Sequence, residues 1–191
     1  MRVLVACEFS GIVRDAFAAK GHDTWSCDLL PSERPGNHIQ DDVLKHLDDG
    51  WDLMIAHPPC KYLCNGGNNW LNRRPDLKWR ENRQLAADFF MRFVDAEIPR
   101  IAVENPIGYM SSYYRKADQI ARPFMFGYEY DKDVCLWLKN LPILQPTNFI
   151  PPPYKKLDYW STERHKDGKD RKAITFPGIA KAMADQWGGS K

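Results

Sequence analysis

The sequence predicts an α/β protein built on a doubly wound, mostly parallel sheet. Apolar, β-rich runs alternate along the chain with amphipathic helical segments, which is typical of parallel strands whose connecting helices cover both faces of a sheet. The 191 residues, 43% of them apolar and 13% aromatic, suffice for one domain with a sizeable core. We therefore expect a single domain over residues 1–191.

The N-terminal part predicts a strand, a loop, a helix and a second strand. RVLVAC (residues 2–7) is a continuous apolar run and indicates a buried strand. EFSG then turns the chain into the helical segment IVRDAFAAKG, which Gly21 closes. HDTWSCD supplies the second strand, which ends at Asp28.

The middle of the chain repeats this pattern. DLMIAH predicts a strand ending at His57, and RIAVE predicts another ending at Glu104. Between them, RENRQLAADFFMRFVDAE predicts a helix whose apolar residues at helical spacing pack in the core. These core residues are Leu85, Phe89, Phe93 and Val94.

The C-terminal part carries weaker signals. DVCLWLKN predicts a later strand, and GIAKAMADQW predicts a terminal helix within residues 173–191. Residues 151–172 begin with PPPY and are dense in charge, which indicates a charged loop.

Composition and cysteine usage exclude several classes of protein. No apolar stretch approaches 18 residues, and Glu8 interrupts the N-terminal apolar run where a signal peptide would continue, so we expect a cytoplasmic protein with no membrane partner. The five cysteines are odd in number and scattered, which favours reduced thiols over a disulfide framework. Only Cys60 and Cys64 lie close together, so we expect no metal site. The net charge of +2 is too small to indicate nucleic-acid binding by itself.

The notable polar clusters all follow predicted strands. In open parallel sheets, ligands bind in the crevice beyond the carboxyl ends of the strands. EFSG, Asp28, the Asp41–Asp42 pair, HPPC and ENP each occupy such a place. Cys60 and Glu104, distant along the chain, are therefore predicted to face one cleft.

The first unit has features of a nucleotide site. Gly11 follows the first strand, and Asp28 at the end of the second can accept hydrogen bonds from ribose hydroxyls. EFSGIV lacks the other glycines of a dinucleotide motif, which favours a nucleoside ligand without phosphates, such as S-adenosylmethionine, with Asp42 at the adenine amino group. The alternative is that Gly11 is an ordinary turn residue and the acids are helix caps.

These blocks resemble, in order and spacing, those of the DNA cytosine-5 methyltransferases. EFSG is similar to the cofactor loop of that family, QDDV to its adenine-binding block, HPPC to its Pro-Cys nucleophile loop and ENP to its Glu-Asn block. The resemblance implies a Rossmann-like sheet of the S-adenosylmethionine-dependent methyltransferase type, with a C-terminal helix that returns to the cofactor side. It implies cofactor contacts from Glu8, Phe9, Ser10, Gly11, Asp28, Asp42 and Pro58, and catalysis by Cys60, Glu104 and Asn105.

The chemistry of the family explains these residue types. Carbon 5 of cytosine is a poor nucleophile, so a thiolate adds to carbon 6 and turns the ring into an enamine that attacks the methyl group of the sulfonium. Cys60 is the predicted thiolate, and its pKa must be lowered for this task. Glu104 is the predicted acid that faces nitrogen 3 and the exocyclic amine. The alternative is that the prolines merely end a strand and Cys60 is a small buried residue.

The chain also departs from the family. Lys61 stands where Gln is usual, Pro106 where Val is usual, and Val13 where a second glycine is common. The Arg-containing block that supports the base is not evident, with Lys132 or Arg115 as its possible substitute. Between residues 141 and 172 only about thirty residues remain, too few for a target-recognition domain. The resemblance is therefore to short phage-type members, which implies the cytoplasm of a bacterial or phage-infected host.

Two basic segments with interleaved aromatic residues are predicted to contact DNA. They span residues 71–84 and 155–172, and the first follows the HPPC loop closely. Cations suit phosphates and aromatic rings suit unstacked bases, although solvated loops have similar compositions. The predicted nucleic-acid-binding residues are Lys61, Arg73, Arg74, Lys78, Arg80, Arg164 and Lys166.

Two other functions remain open from the sequence. An amino-methyltransferase acting on adenine or cytosine would keep the fold, but its Asp/Asn-Pro-Pro-aromatic loop is here His57-Pro58-Pro59-Cys60. A catalytically inactive, cofactor-binding subunit would instead bind DNA or dock on a separate recognition protein.

Overall fold

A seven-stranded mixed sheet forms the centre of the protein. The computed structural model describes residues 1–66, 77–156 and 174–189. Strand order in the sheet is β3-β2-β1-β4-β5-β8-β6, and β7 and β9 form a separate two-stranded sheet. The strands are β1 (Arg2–Ala6), β2 (Asp23–Asp28), β3 (His38–Gln40), β4 (Leu53–Ala56), β5 (Arg100–Asn105), β6 (Gln119–Ala121), β7 (Tyr130–Asp131), β8 (Val134–Lys139) and β9 (Lys155–Lys156).

Helices pack on both faces of this sheet. The helices within the described residues are α1 (Ile12–Ala18), α2 (Leu77–Val94), α3 (Met110–Tyr113) and α4 (Pro177–Trp187). Short 3-10 helices occupy Val43–Lys45 and Pro123–Met125.

Five adjacent strands, β3 to β5 in spatial order, run parallel, and β8 then pairs antiparallel with both β5 and β6. The chain leaves β1 toward β2 on one side and later returns to β4 on the other. This reversal creates a crevice at the carboxyl ends of β1 and β4, where ligands bind in open α/β sheets. The predicted α/β class and mostly parallel sheet are confirmed.

Side chains of the central strand alternate between two apolar cores. Val3 and Val5 pack with α1 and α4 on one face, whereas Leu4 and Ala6 pack with α2 on the other. Burial on both faces explains why β1 reads as a continuous apolar run. The predicted terminal helix is confirmed, and Trp187 at its end is 2% exposed.

The prediction for the buried face of α2 is partly wrong. Phe93 is fully buried, and Phe89 and Val94 pack against the core, but Leu85 is 66% exposed. The face against the sheet is instead formed by Ala87, Phe90 and Phe93, at a spacing of three residues. Phe90 meets the ring of Trp137 on β8 edge-on, with centroids 5.2 Å apart.

Other differences concern short elements. The 3-10 turn after Asp42, the strands β3 and β6 and the small β7–β9 sheet were not predicted. Most of the predicted charged loop, residues 157–172, lies outside the described residues. Over the ranges that the structure describes, none of the helices is both long enough and apolar enough to cross a membrane.

The corrected face of α2 predicts a contrast between two substitutions. Phe90→Ala is expected to lower the free energy of unfolding by about 3 to 5 kcal/mol, because it leaves a cavity beside Trp137. Leu85→Ala, at an exposed position of the same helix, is expected to change it by less than about 0.5 kcal/mol. Urea denaturation followed by circular dichroism measures both, and equal effects would contradict this packing.

Candidate active site

The loop after β1 is organised by a buried carboxylate. Glu8 is 5% exposed, and its Oε1 accepts a hydrogen bond from the amide of Val13 at 2.7 Å. Its Oε2 accepts from the amide of Arg14 at 3.2 Å, and the hydroxyl of Ser10 donates to Oε1 at 3.2 Å. Glu8 therefore satisfies the first turn of α1, the place where a dinucleotide pyrophosphate would bind. Contact of Glu8 and Ser10 with a cofactor stays a prediction.

Gly11 is required by the protein itself. It adopts a left-handed conformation with φ 72°, and a Cβ added there would lie 2.5 Å from Nη2 of Arg14. The guanidinium of Arg14 is buried and donates to the hydroxyls of Ser26 and Ser32 and to the carbonyl oxygen of Pro35. Arg14 is therefore the group that closely approaches Gly11 in this structure. Contact of a cofactor with Gly11, or with the neighbouring buried Phe9, stays a prediction.

The predicted ribose-binding and adenine-binding acids gather at the end of β1. Ala6 pairs with Cys27, which sets Asp28 beside Cys7 at the end of β1. Burial raises the pKa of the Cys7 thiol, and the charges of Asp28 and Asp42 raise it further. Asp28 is half-buried, which raises its own pKa, and it accepts a hydrogen bond from the amide of Leu30 at 2.9 Å. Asp42 caps the following 3-10 helix by accepting from the amide of Leu44 at 3.0 Å. The helix-cap alternative therefore holds for Asp42, and its contact with the adenine amino group stays a prediction.

Cys60 lies in an exposed turn directly after β4. Pro58 is buried, whereas Pro59 and Cys60 are exposed. The carbonyl oxygen of Cys60 accepts from the amides of Leu63 and Cys64, at 2.9 and 3.0 Å, and this closes the turn. Cys60 is therefore not a buried structural thiol, and none of the five cysteines, all within the described residues, forms a disulfide.

The Cys60 turn is clamped to the loop that follows β5. Asn105, 1% exposed, donates from Nδ2 to the carbonyl oxygen of Pro58 at 2.9 Å. The amide of Tyr109 donates to the carbonyl oxygen of Leu63 at 2.6 Å, and Gly108 forms an isolated bridge with Cys64. We call these contacts the loop clamp. Asn105 thus acts here by positioning the Cys60 turn.

Glu104 lies at the same edge, next to the start of the HPPC loop. Parallel pairing of Ala56 with Val103 sets His57 beside Glu104, and Nδ1 of His57 lies 3.2 Å from Oε2 of Glu104. Burial raises the pKa of Glu104, but the hydrogen bond and charge of His57, together with the charge of Lys132, outweigh it and lower that pKa. Glu104 is therefore a carboxylate at neutral pH.

The start of α4 completes the surroundings of Glu104. A small cleft is lined by the carboxylate together with Lys132, Thr175, Phe176 and Ile179. The ammonium group of Lys132 lies 6.0 Å from the ring centroid of Phe176. Lys132, one of the two substitutes considered for the missing Arg block, is thus close to Glu104. Arg115 instead forms a two-pronged ion pair with Asp118.

A cationic and aromatic surface adjoins the Cys60 turn. Tyr62 meets Trp79 of α2 edge-on with ring centroids 4.7 Å apart, and Nε of Arg83 donates to the carbonyl oxygen of Tyr62 at 3.2 Å. Exposed cations flank these rings, and among the predicted DNA contacts they are Lys61, Lys78 and Arg80. The other predicted DNA contacts, Arg73, Arg74, Arg164 and Lys166, lie outside the described residues.

Sequence reasoning missed His57 and Arg14. His57 was noted as the end of a strand and the first residue of the HPPC loop but was given no role, yet its side chain is 4% exposed and contacts Glu104. Arg14 lies on α1 and links Gly11 to residues 32–36. A charged residue on the buried face of a short helix was the available signal for Arg14.

Comparison of the chain with models of known protein families, and with curated proteins, gave no match.

The loop clamp predicts a specific effect of Gly108→Ala. A methyl group at this position would overlap the carbonyl oxygen of Leu63, so the bridge to Cys64 must open. We expect a loss of about 1 to 3 kcal/mol in the free energy of unfolding. Amide hydrogen exchange should accelerate at Tyr109 and Cys64.

Gly21→Ala is the matched control for this prediction. Gly21 has φ 78° and no atom within 4 Å of an added Cβ, so strain alone should cost about 1 to 2 kcal/mol. Exchange at Tyr109 and Cys64 should stay as in the wild type. Unchanged exchange in Gly108→Ala would show that the clamp does not hold the turn.

Proposed function

We propose that this protein is an S-adenosylmethionine-dependent methyltransferase that acts on carbon 5 of cytosine in DNA through a covalent adduct with Cys60. The observation that carries the proposal is the pairing of two loops at one edge of the sheet. An exposed thiol follows β4, a carboxylate and an amide follow β5, and the loop clamp fixes the thiol-bearing turn to the second loop. A purely structural cysteine has no need of this arrangement.

The site beyond β1 fits a nucleoside cofactor without phosphates. Glu8 already occupies the amides at the start of α1, so an incoming phosphate would meet a carboxylate. Asp28 and Asp42 supply hydrogen-bond acceptors near the end of β1, which suit ribose hydroxyls and an adenine amino group. The predicted Rossmann-like sheet of the methyltransferase type belongs to this proposal. S-adenosylmethionine supplies an electrophilic methyl group on its sulfonium.

Cys60 and Glu104 have different roles in the proposed reaction. The thiolate of Cys60 forms a bond to carbon 6 of the base, and the displaced electron pair is stabilised as nitrogen 3 takes up a proton. Glu104, ionised in the ligand-free protein, first accepts a hydrogen bond from the exocyclic amine and must gain a proton before it can act as an acid at nitrogen 3. Carbon 5 then takes the methyl group, with S-adenosylhomocysteine as the leaving group. A base removes the carbon 5 proton, the Cys60 thiolate leaves as the ring double bond re-forms, and nitrogen 3 gives back its proton.

The surface beside Cys60 suits DNA. Lys61, Lys78 and Arg80 are exposed, and Tyr62 and Trp79 lie between them. Cations bind backbone phosphates and aromatic rings stack on bases displaced from a duplex. The Cys60 turn and this surface are in contact through Tyr62. When a base reaches Cys60, the adjacent nucleotides of the same strand would therefore lie over the cations.

Covalent trapping tests the proposal directly. The protein is incubated with labelled S-adenosylmethionine and with duplex or single-stranded DNA that carries 5-fluorocytosine, which blocks the final proton loss. We expect a stable protein–DNA adduct that maps to Cys60 by mass spectrometry. Cys60→Ala should abolish the adduct, and Cys64→Ser, in the same turn, should retain it.

Two outcomes would contradict the proposal in different ways. Methyl transfer that survives Cys60→Ala would indicate an amino-methyltransferase, which needs no thiol. A folded protein that gives neither adduct nor label transfer with any DNA would indicate an inactive subunit that binds DNA or a separate recognition protein.

DNA contact at the start of α2 predicts a change in salt dependence. Lys78→Ala and Arg80→Ala should each make the slope of log K, the DNA association constant, against log salt less negative. The expected change is about 0.7 for single strands or 0.9 for duplex DNA. Lys181→Ala, at an exposed lysine of α4, is the control and should leave the slope unchanged. Fluorescence anisotropy over a salt series gives the slopes. Equal slopes in all variants would remove Lys78 and Arg80 from the DNA interface.

A further inference from the structure

His57 and Glu104 form a buried pair at the junction of β1, β4 and β5. The amide of His57 donates to the carbonyl oxygen of Ala6 at 2.9 Å, which fixes its backbone against β1. The side chains of His57 and Glu104 are 4% and 18% exposed, and Nδ1 and Oε2 are 3.2 Å apart. Because an ionised carboxylate only accepts hydrogen bonds, Nδ1 must carry the proton.

Each side chain of this pair has a second polar atom, Nε2 in His57 and Oε1 in Glu104. Nε2 of His57 is buried and has no hydrogen-bond partner among the described residues, so Glu104 is the side chain that orients the ring. Oε1 of Glu104 likewise makes no hydrogen bond to a described residue. One oxygen of the carboxyl is therefore held by His57.

Three titratable groups of the described residues interact with Glu104. His57 approaches from the end of β4, Lys132 from the segment before β8, and the thiol of Cys135 from β8 itself. Burial, followed by the charges of Asp133 and Glu104, raises the pKa of Cys135 to about 11, so this thiol is neutral near pH 7. Among the described residues, His57 and Lys132 oppose the effect of burial on Glu104, and His57 is the one in hydrogen-bond contact.

We propose that His57 is a positioning residue for Glu104: its Nδ1 holds Oε2, fixes the orientation of the carboxyl and keeps it ionised, so that Oε1 faces the exocyclic amine of the target base. The role toward the base rests on the proposed function, whereas the orientation and charge of Glu104 do not. A histidine that only filled space would have no effect on the ionisation of Glu104.

Titration of Glu104 by carbon-13 NMR tests the charge directly. In protein labelled at the glutamate carboxyl carbons, Glu104→Gln identifies the signal. The wild-type midpoint should lie below the ordinary value of 4.5. In His57→Phe it should move upward by about 1 to 3 pH units, because the hydrogen bond that opposes the effect of burial is lost. His57→Asn, which keeps a hydrogen-bond donor, should give a smaller shift.

His46→Asn is the matched control, since His46 also contacts a carboxylate, at 3.0 Å from Asp49, but far along the chain from Glu104. It should leave the Glu104 midpoint unchanged. An unchanged midpoint in a folded His57→Phe or His57→Asn protein would overturn the proposal. So would a nitrogen-15 spectrum of the wild type at neutral pH that shows Nδ1 of His57 without a proton, a measurement that needs no variant.

The activity measurement separates this inference from the proposed function. If methyl transfer occurs, the limb of the kcat/KM pH profile that reports Glu104 should move upward in His57→Phe by the amount found by NMR. If the Glu104 titration shifts as expected but no methyl transfer occurs, only the proposed function is contradicted. If methyl transfer occurs but the Glu104 titration is unchanged in His57→Phe, only the positioning role of His57 is contradicted.

Discussion

The hydrogen bond from Asn105 to the carbonyl oxygen of Pro58 is the constraint on which the candidate site depends. It joins the ends of two neighbouring parallel strands beyond the last pair of the β4–β5 ladder, where strand pairing no longer holds the chains together. The donor is 1% exposed, so a break would leave a buried polar group unpaired, at a cost of about 1 to 3 kcal/mol. Without it, the contacts of the described residues that tie this turn to β5 and the loop after it would be those of Gly108 and Tyr109, together with the His57–Glu104 contact at the start of the turn.

The two prolines explain why the thiol lies outside the sheet. Neither Pro58 nor Pro59 has an amide hydrogen, so the β4 ladder cannot continue through them, and their fixed φ angles limit the paths that the chain can take. The first proline stays buried and offers its carbonyl oxygen to Asn105, and the second is exposed. Cys60 is thereby placed in an exposed turn beyond the end of β4. The same residues that stop the strand also anchor the turn.

Two features could be predicted because they follow from local patterns. One is the burial of strands on both faces of the sheet, and the other is the meeting of polar residues at the ends of those strands. The apolar run of β1 and the polar residues after β4 and β5 are visible in the sequence, and parallel pairing brings them to one edge. The contacts between His57 and Glu104, and between Arg14 and the loops around Gly11, join distant residues and leave no periodic signal. The face of α2 was misassigned at Leu85 because adjacent aromatic residues, Phe89 and Phe90, fit two different helical stripes. Tertiary packing against Trp137 decides between them.

The two loops of the site differ in how fully their polar atoms are satisfied. After β1, the carboxylate of Glu8 accepts hydrogen bonds from amides at the start of α1, and the guanidinium of Arg14 donates to Ser26. The polar side chains of this loop are therefore paired within the protein. Around the loop clamp, Nε2 of His57, Oδ1 of Asn105 and Nη2 of Arg83 are buried with no hydrogen-bond partner among the described residues. Such atoms reduce stability, and proteins retain them mainly where a function requires them. These three atoms lie on the two loops that carry Cys60 and Glu104 or on α2 beside them, where the proposed nucleobase would bring its own hydrogen-bond donors and acceptors.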